Sequence, residues 1–178
     1  MVVADPTAWV FEGTAVEQGD HLPDIVGPEY DRYDPSVPGP DNVQILAHSP
    51  LRCGGRSSYS DMTYYTHTSG GGVFATGTNW WISHLVAPCA GGDCPHDARA
   101  VRITENVLRA FGTGPSGREH PSVPNWRTLI GAGTTRTTSA PSRATNQRDA
   151  VPYREQYTSN PGVVYDDVVE STDGNAVR

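Results

Sequence analysis

The sequence predicts an α/β fold with one folded domain and a disordered C-terminal tail. Three observations lead to this prediction. Short β-prone segments occur at residues 43–48, 62–67 and 73–76, an amphipathic segment follows at residues 98–111, and apolar periodicity fades after Leu129. The chain has 178 residues with a hydrophobic content of 36%, which is enough to build one domain with a buried core.

The candidate strands are rich in Val, Ile, Tyr, Phe and Thr, the residues that favour extended backbone. Residues 9–11 are the first candidate, and residues 43–48 are the second. Residues 62–67 and 73–76 flank a Gly-rich loop at residues 68–72, which predicts a β-hairpin. The sequence leaves open whether the sheet also contains parallel strands.

Residues 72–82, which read GVFATGTNWWI, predict a strand, a tight turn and a short helix. Gly77 permits a sharp bend, and Asn79 is a favoured helix N-cap. Thr76, Thr78 and Asn79 are therefore candidate donors to a substrate carbonyl oxygen or anion at the helix start. The simpler alternative is that Asn79 caps the helix and that Thr76 only packs in the strand.

Residues 98–111 predict the clearest helix of the chain. Ala100, Ile103, Val107, Leu108 and Phe111 are expected on its buried face. Asp97 is expected to cap the helix start, and Gly112 is expected to end it.

Composition excludes several classes of partner. The net charge is -7, which argues against binding to nucleic acid or to an anionic membrane. The N-terminal residues lack the features of a signal peptide, and no apolar stretch has the length of a transmembrane helix, so the localisation stays open. The expected organisation is a lead at residues 1–7, a domain at residues 8–129 and a low-complexity tail at residues 130–178, in which Val163, Val164 and Tyr165 are candidates for a short docking strand.

Six short blocks carry a family resemblance, in the same order as in the family. They are WVFEGT at residues 9–14, GD at 19–20, IVGPEYD at 25–31, DMTYY at 61–65, GVFATGT at 72–78 and TENVL at 104–108. Together they resemble the C-terminal region of the N,N-dimethylformamidase large (beta) subunit-like family. This resemblance implies a partial glutamine-amidotransferase-like sheet with helices and, in the complete protein, hydrolysis of small amides at a bound iron.

The resemblance also implies what this chain lacks. The iron ligands of the family are expected upstream of the matched region, so no metal ligand is assigned to this sequence and no cofactor is expected on this chain alone. We expect the chain to be inactive by itself and to work with a missing upstream domain or a partner subunit, with a small amide as the substrate. The alternative is a non-catalytic domain that only packs on a partner.

Glu29 and Asp31 are the candidate catalytic residues. They lie two apart after a short apolar run, so in extended backbone their carboxylates would share one face. Such a pair can supply a general base that acts on water, and the family block favours Glu29 for this role. The alternative is that both are loop carboxylates, one of them capping a turn and the other paired with Arg32.

Cys89, Cys94 and His96 lie close together in sequence. A local Cys89–Cys94 disulfide, or two free thiols in a reducing compartment, is expected before a zinc site, because no further ligand pair follows. Cys53 is left without a sequence neighbour that would activate it as a nucleophile. The remaining histidines show no ligand spacing and are interpreted as satisfied or exposed side chains: His21, His48, His67, His84 and His120.

Overall fold

An antiparallel sheet forms the centre of the fold. The computed structural model describes residues 1–86 and 95–130, together with the backbone of residues 164–165. Strands β1 (Gln44–Cys53), β2 (Arg56–Thr66) and β3 (Gly72–Ala75) lie in the order β3-β2-β1. A two-residue strand, β4 (Val164–Tyr165), pairs antiparallel with the other edge of β1 at Leu51 and Arg52.

Two hairpins build this sheet. The predicted β2–β3 hairpin is confirmed, with Thr66 opposite Gly72 at its closed end. The β1–β2 hairpin was missed, because the sequence analysis ended the first strand at His48 although β1 continues to Cys53. Gly54 and Gly55 join β1 to β2 with φ of 56° and 78°, the left-handed conformation that a two-residue hairpin turn requires.

Helix α1 (Ala98–Thr113) is the main helix and confirms the prediction for this segment. The Asp97 side chain accepts a hydrogen bond from the Arg99 backbone N–H at 2.9 Å, as expected of an N-cap. Two four-residue helices, α2 (Ser116–Glu119) and α3 (Trp126–Leu129), follow it. In the part of the chain that the structure describes, no helix combines the length and the apolar character that a membrane crossing needs.

Part of the predicted helix face is wrong. Ala110 is buried, whereas Leu108 and Phe111 are 67% and 40% exposed. The buried stripe is centred between Ile103 and Val107. Leu108 is therefore turned about 100° away from Val107, and Phe111 lies at the end of the helix. The helix also continues past Gly112 to Thr113, and Gly114 follows it.

Two local predictions are corrected by the structure. Residues Trp9–Phe11 form a 3₁₀ helix rather than a strand, held by backbone bonds such as Glu12 N–H to Trp9 C=O at 3.1 Å. The helix after the Gly77 turn is a 3₁₀ helix at Trp81–Leu85, and its N-terminal cap position is Trp80 rather than Asn79. Such short helices carry too few residues to show a helical period in sequence.

The core lies between the sheet, the N-terminal segment and α1. Trp81 is 5% exposed, and its indole N–H donates to the Thr104 hydroxyl at 2.9 Å. The fully buried large side chains are Met1, Val3, Val10, Leu22, Ile25, Val26, Ile45, Leu46, Met62, Tyr64 and Ile103. This arrangement confirms a mixed α/β domain. The candidate disulfide of Cys89 and Cys94 and nearly all of the predicted tail lie outside the described residues.

Asp61 fastens the segment at residues 31–33 to strand β2. Its side chain is fully buried, and one carboxylate oxygen lies 2.7 Å from His48 Nδ1. The other oxygen accepts the Tyr33 backbone N–H at 2.8 Å, and the Asp61 backbone N–H donates to the Asp31 carbonyl at 2.9 Å. Gly77 packs directly on the Asp61 backbone, since a Cβ at Gly77 would lie 2.2 Å from the Asp61 carbonyl oxygen.

We predict that Gly77→Ala destabilises the fold strongly. Gly77 has φ of +73°, and the added Cβ would collide with buried backbone that cannot move aside. We expect the free energy of unfolding to fall by about 3 kcal/mol or more in urea denaturation. Gly19→Ala is the matched control, because Gly19 has φ of +87° with nothing within 4 Å of the added Cβ. A loss for Gly77→Ala no larger than the loss of about 1–2 kcal/mol expected for Gly19→Ala would contradict this close approach.

We also predict a stability change with pH that arises from the N-terminal amine. Burial lowers the pKa of the Met1 amino group from 8.0 to about 5, although nearby Asp24 opposes this shift. The unfolded chain therefore binds a proton between pH 8 and 5 that the folded chain does not bind. The free energy of unfolding should be highest above about pH 8 and should fall by up to about 4 kcal/mol as the pH approaches 5.

Urea denaturation at pH 8 and at about pH 5 measures this dependence. The control is the same chain with Gly-Ser added before Met1, because the amide nitrogen of Met1 can no longer titrate. The difference between the two pH values should shrink in the extended chain. Equal pH dependence in both chains would assign the effect to other groups.

Candidate functional site

The two halves of the predicted site meet in the structure. Tyr30 pairs with Thr78 in an isolated antiparallel bridge, and the Asn79 backbone N–H donates to the Glu29 carbonyl at 3.2 Å. The Asn79 side-chain amide also reaches a carboxylate oxygen of Glu29 at 3.4 Å. The Glu29 segment and the Gly77 turn therefore lie side by side, although they run antiparallel to each other.

The Thr78 hydroxyl holds this junction together. It donates to the Ile25 carbonyl at 2.9 Å and accepts the Gly27 and Trp80 backbone N–H groups at 2.9 and 3.2 Å. A hydroxyl has one proton to donate. In this conformation the Thr78 proton is donated to the Ile25 carbonyl and not to a substrate. Thr76 has a similar local role, because its hydroxyl donates to the Thr78 carbonyl at 3.1 Å.

Glu29 and Asp31 have different surroundings. Both residues are exposed. The side chain of Glu29 lies beside Asn79, whereas Asp31 lines a neighbouring groove. Arg32 pairs with Asp34 at 3.6 Å, so the alternative in which it pairs with Glu29 or Asp31 is wrong. Of the predicted residues, Glu29 and Asn79 are thus the two whose polar side-chain groups meet at the surface.

The groove beside Asp31 lies between the segment at residues 31–43 and the sheet. It has a volume of about 310 Å³, at the lower end of the range for small-molecule sites. Burial raises the pKa of Tyr33, and the nearby Asp41 carboxylate raises it further. The lining residues are Asp31, Arg32, Tyr33, Asp34, Val37, Pro38, Gly39, Pro40, Val43, Asp61, Thr63, Tyr65 and Ala75.

The pair of His48 and Asp61 beneath this groove was missed in the sequence. When the imidazole is neutral, a proton on Nδ1 donates to Asp61, which leaves Nε2 as the acceptor nitrogen. The ring is 26% exposed and lies 4.6 Å from the Tyr59 ring, with its plane tilted. Burial raises the pKa of Tyr59, and the charge of Asp61 adds to this effect.

A signal for this pair exists in the sequence. Strands joined by a two-residue turn pair symmetrically about that turn. A turn at Gly54 and Gly55 therefore places His48 opposite Asp61, as the observed register does. Recognition of the Gly-Gly turn would therefore have predicted the pairing of His48 with Asp61 from the amino-acid sequence alone.

The zinc alternative for Cys89 and Cys94 lies outside the described residues. Within residues 1–86 and 95–130, no three His, Cys, Asp or Glu side chains cluster closely enough to hold a metal ion. His96 Nδ1 contacts the Val86 carbonyl at 2.7 Å, and Cys53 is half-buried as a free thiol.

Comparison with known proteins covers five of the six sequence blocks, all but the block at residues 104–108. The family model described as N,N-dimethylformamidase beta subunit-like, C-terminal, matches residues 1–96. The chain is 30% identical over 129 residues to an N,N-dimethylformamidase beta subunit from Alcaligenes sp., and this match covers 58% of the chain. It is 28% identical over 131 residues to the beta subunit from Paracoccus aminophilus, again over 58% of the chain.

Each match covers only part of the relative. The chain spans 16% of the length of either beta subunit. No solved structure matches the chain. Because the family model covers more than half of the 178 residues, the chain belongs to the N,N-dimethylformamidase beta subunit-like, C-terminal family.

Proposed function

We propose that this chain acts as the C-terminal portion of a dimethylformamidase-like amide hydrolase. The observation that carries the proposal is the family membership, since the matched relatives are named as beta subunits of that enzyme. The chain spans 16% of their length, which supports a role that needs an upstream domain or a partner subunit. The substrate class that follows is a small linear amide.

Glu29 is the residue that this chain would offer to such a site. An exposed carboxylate can accept the proton of a water molecule that attacks an amide carbonyl. The new C–O bond forms as that proton moves to Glu29, and the C–N bond then breaks as the amine leaves with a proton. Asn79 would hold the Glu29 carboxylate or donate from its side-chain amide to the carbonyl oxygen.

A completed site would have to enclose Glu29. At present its described side-chain contact is Asn79, and neither residue lines the groove. A surface carboxylate in water is a poor general base, because amide hydrolysis benefits from a water-excluding pocket with preorganised donors. We infer that another protein surface covers Glu29 and Asn79, and that iron in the complete family protein is held on that other surface.

The glutamine-amidotransferase-like fold belongs to the same proposal. Strand β3 (Gly72–Ala75) is an edge strand of the described sheet, and a further strand could pair with it on the side away from β2. Addition of strands from the upstream region at this edge would extend the small sheet into a larger one.

The second candidate function is a non-catalytic packing domain. The structural use of the Thr78 hydroxyl favours it, as does the absence of Glu29 from the groove lining. In that case the junction of Glu29 and Asn79 would only stabilise the turn. The two functions differ in what happens when the charge of Glu29 is removed.

We predict that the isolated chain does not hydrolyse amides. The purified chain, supplied with ferrous or ferric iron, should release no amine from formamides above the level of buffer. The physical reason is that Glu29 is open to solvent and that the described residues offer no cluster of three His, Cys, Asp or Glu side chains. Turnover that disappears in a Glu29→Ala control would contradict this prediction.

We predict that Glu29→Gln impairs the complete enzyme. The test adds the chain to a beta subunit of the Alcaligenes relative that lacks its own matched C-terminal region. Glu29→Gln keeps the shape of the side chain but removes the general base, so amine release should fall by about 100-fold or more. Glu17→Gln is the matched control, because Glu17 is also exposed and should leave turnover unchanged. Restored turnover that is equal for wild type and Glu29→Gln would favour the packing domain.

A further inference from the structure

The ring of His48 is an oriented base that the proposed amide hydrolysis leaves without a role. Its Nδ1 lies 2.7 Å from a carboxylate oxygen of Asp61, whose side chain is fully buried. An ionised carboxylate can only accept hydrogen bonds, so in the neutral ring the proton lies on Nδ1 and the free lone pair on Nε2. The second Asp61 oxygen accepts the Tyr33 backbone N–H at 2.8 Å, which fixes the carboxylate beside the ring.

The Nε2 atom of His48 is accessible to solvent. The side chain is 26% exposed, and its hydrogen bond to Asp61 uses the other ring nitrogen. In the described part of the chain, Trp9 Nε1 is the one side-chain nitrogen or oxygen that is both buried and unpartnered. His48 Nε2 has no partner among the described residues either, so it is not buried. An accessible imidazole lone pair can take a proton from water.

The groove at residues 31–43 lies beside this base. Tyr59 connects the two, because its ring centroid lies 4.6 Å from that of His48 and 5.9 Å from the guanidinium carbon of Arg32, which lines the groove. The groove has a volume of about 310 Å³, and Val37 and Tyr65 belong to its apolar lining. A small aromatic group suits a concave site of this size and composition.

We propose that His48 and Asp61 form a general-base dyad that hydrolyses small aryl esters held in this groove. An aryl ester suits a solvent-accessible dyad better than an amide does, because a phenolate leaves without a proton, whereas an amine needs one. This site is separate from Glu29 and does not depend on the proposed amide hydrolysis.

The step uses water as the nucleophile. His48 Nε2 takes a proton from water while the water oxygen bonds to the ester carbonyl carbon. Negative charge develops on the carbonyl oxygen, and the Arg32 guanidinium supplies positive charge at the groove. The C–O bond to the aryl oxygen then breaks, the phenolate leaves, and the imidazolium returns its proton to solvent. Asp61 does not touch the ester and acts as the positioning residue of the ring.

The test follows nitrophenolate release from para-nitrophenyl acetate by the full chain. We expect saturable turnover that is faster than the reaction with free imidazole at six times the protein concentration, one equivalent for each histidine. His48→Gln, whose amide can still donate to Asp61, should lower kcat/KM about tenfold or more. His67→Gln is the matched control, because His67 Nδ1 contacts the Ser69 hydroxyl at 2.8 Å rather than a carboxylate. A wild-type rate no higher than that of imidazole, or an equal loss for His67→Gln, would overturn the proposal.

The place of the substrate is tested through KM. Val37→Asp puts a charge into the apolar lining and should raise KM about threefold or more while kcat stays unchanged. Val123→Asp is the matched control, since Val37 and Val123 are both 63% exposed and Val123 is absent from the groove lining. Equal KM for wild type and Val37→Asp would overturn binding in the groove.

Two further measurements test the dyad itself. In ¹⁵N NMR, neutral His48 should carry its proton on Nδ1, with His48→Gln identifying the resonances. The rate of ester hydrolysis should also fall in D₂O, because a water proton is transferred in the step. A proton on Nε2 instead would overturn the positioning role of Asp61, and an unchanged rate in D₂O would overturn general-base catalysis.

Discussion

The buried carboxylate of Asp61 is the interaction on which the described structure depends most. Its two oxygens join β1, through His48, to the segment that begins at Asp31, through the Tyr33 N–H. A buried carboxylate is tolerated only when its oxygens are hydrogen-bonded, so loss of either contact would leave a buried oxygen unsatisfied. Gly77 packs on the backbone of the same residue, which brings the turn before Thr78 to the same place.

The position of the candidate site follows from this junction. Because Asp61 holds both Asp31 and Gly77, the residues next to them in sequence, Tyr30 and Thr78, form a bridge. That bridge places Glu29 against Asn79 at the surface. The functional proposal thus uses a geometry to which Asp61 contributes through its backbone at Asp31 and Gly77 and through its buried carboxylate at Tyr33.

The parts of the fold that could be predicted from the sequence are those in which a hydrophobic or β-prone pattern runs over several residues. The 16-residue helix α1 shows a full amphipathic period and an Asp97 cap, and the β2–β3 hairpin shows β-prone runs around a Gly-rich loop. The 3₁₀ helix Trp9–Phe11 was predicted as a strand because three aromatic and branched residues carry β propensity but no period. Tertiary packing decided its conformation.

The candidate site was predictable only in part, for a related reason. Glu29 and Asn79 were each predicted as candidates from their own segments, but their meeting depends on an antiparallel bridge between these segments. The pair of His48 and Asp61 depends on hairpin register, which a strand that stops at His48 cannot supply.

Native-state amide hydrogen exchange tests the central role of Asp61 most directly. The comparison is between wild type, Asp61→Asn and Asp61→Ala, with the Leu22 amide, which donates to the Met1 carbonyl at 2.8 Å, as the internal reference. We expect Tyr33 to lose protection in Asp61→Ala while Leu22 remains protected, and Asp61→Asn, which keeps one oxygen acceptor, to lie between. If Asp61→Ala unfolds globally, Asp61→Asn is compared with wild type instead, and we expect its Tyr33 amide to lose protection while its Leu22 amide keeps it. Unchanged Tyr33 protection in both variants would contradict the central role of Asp61.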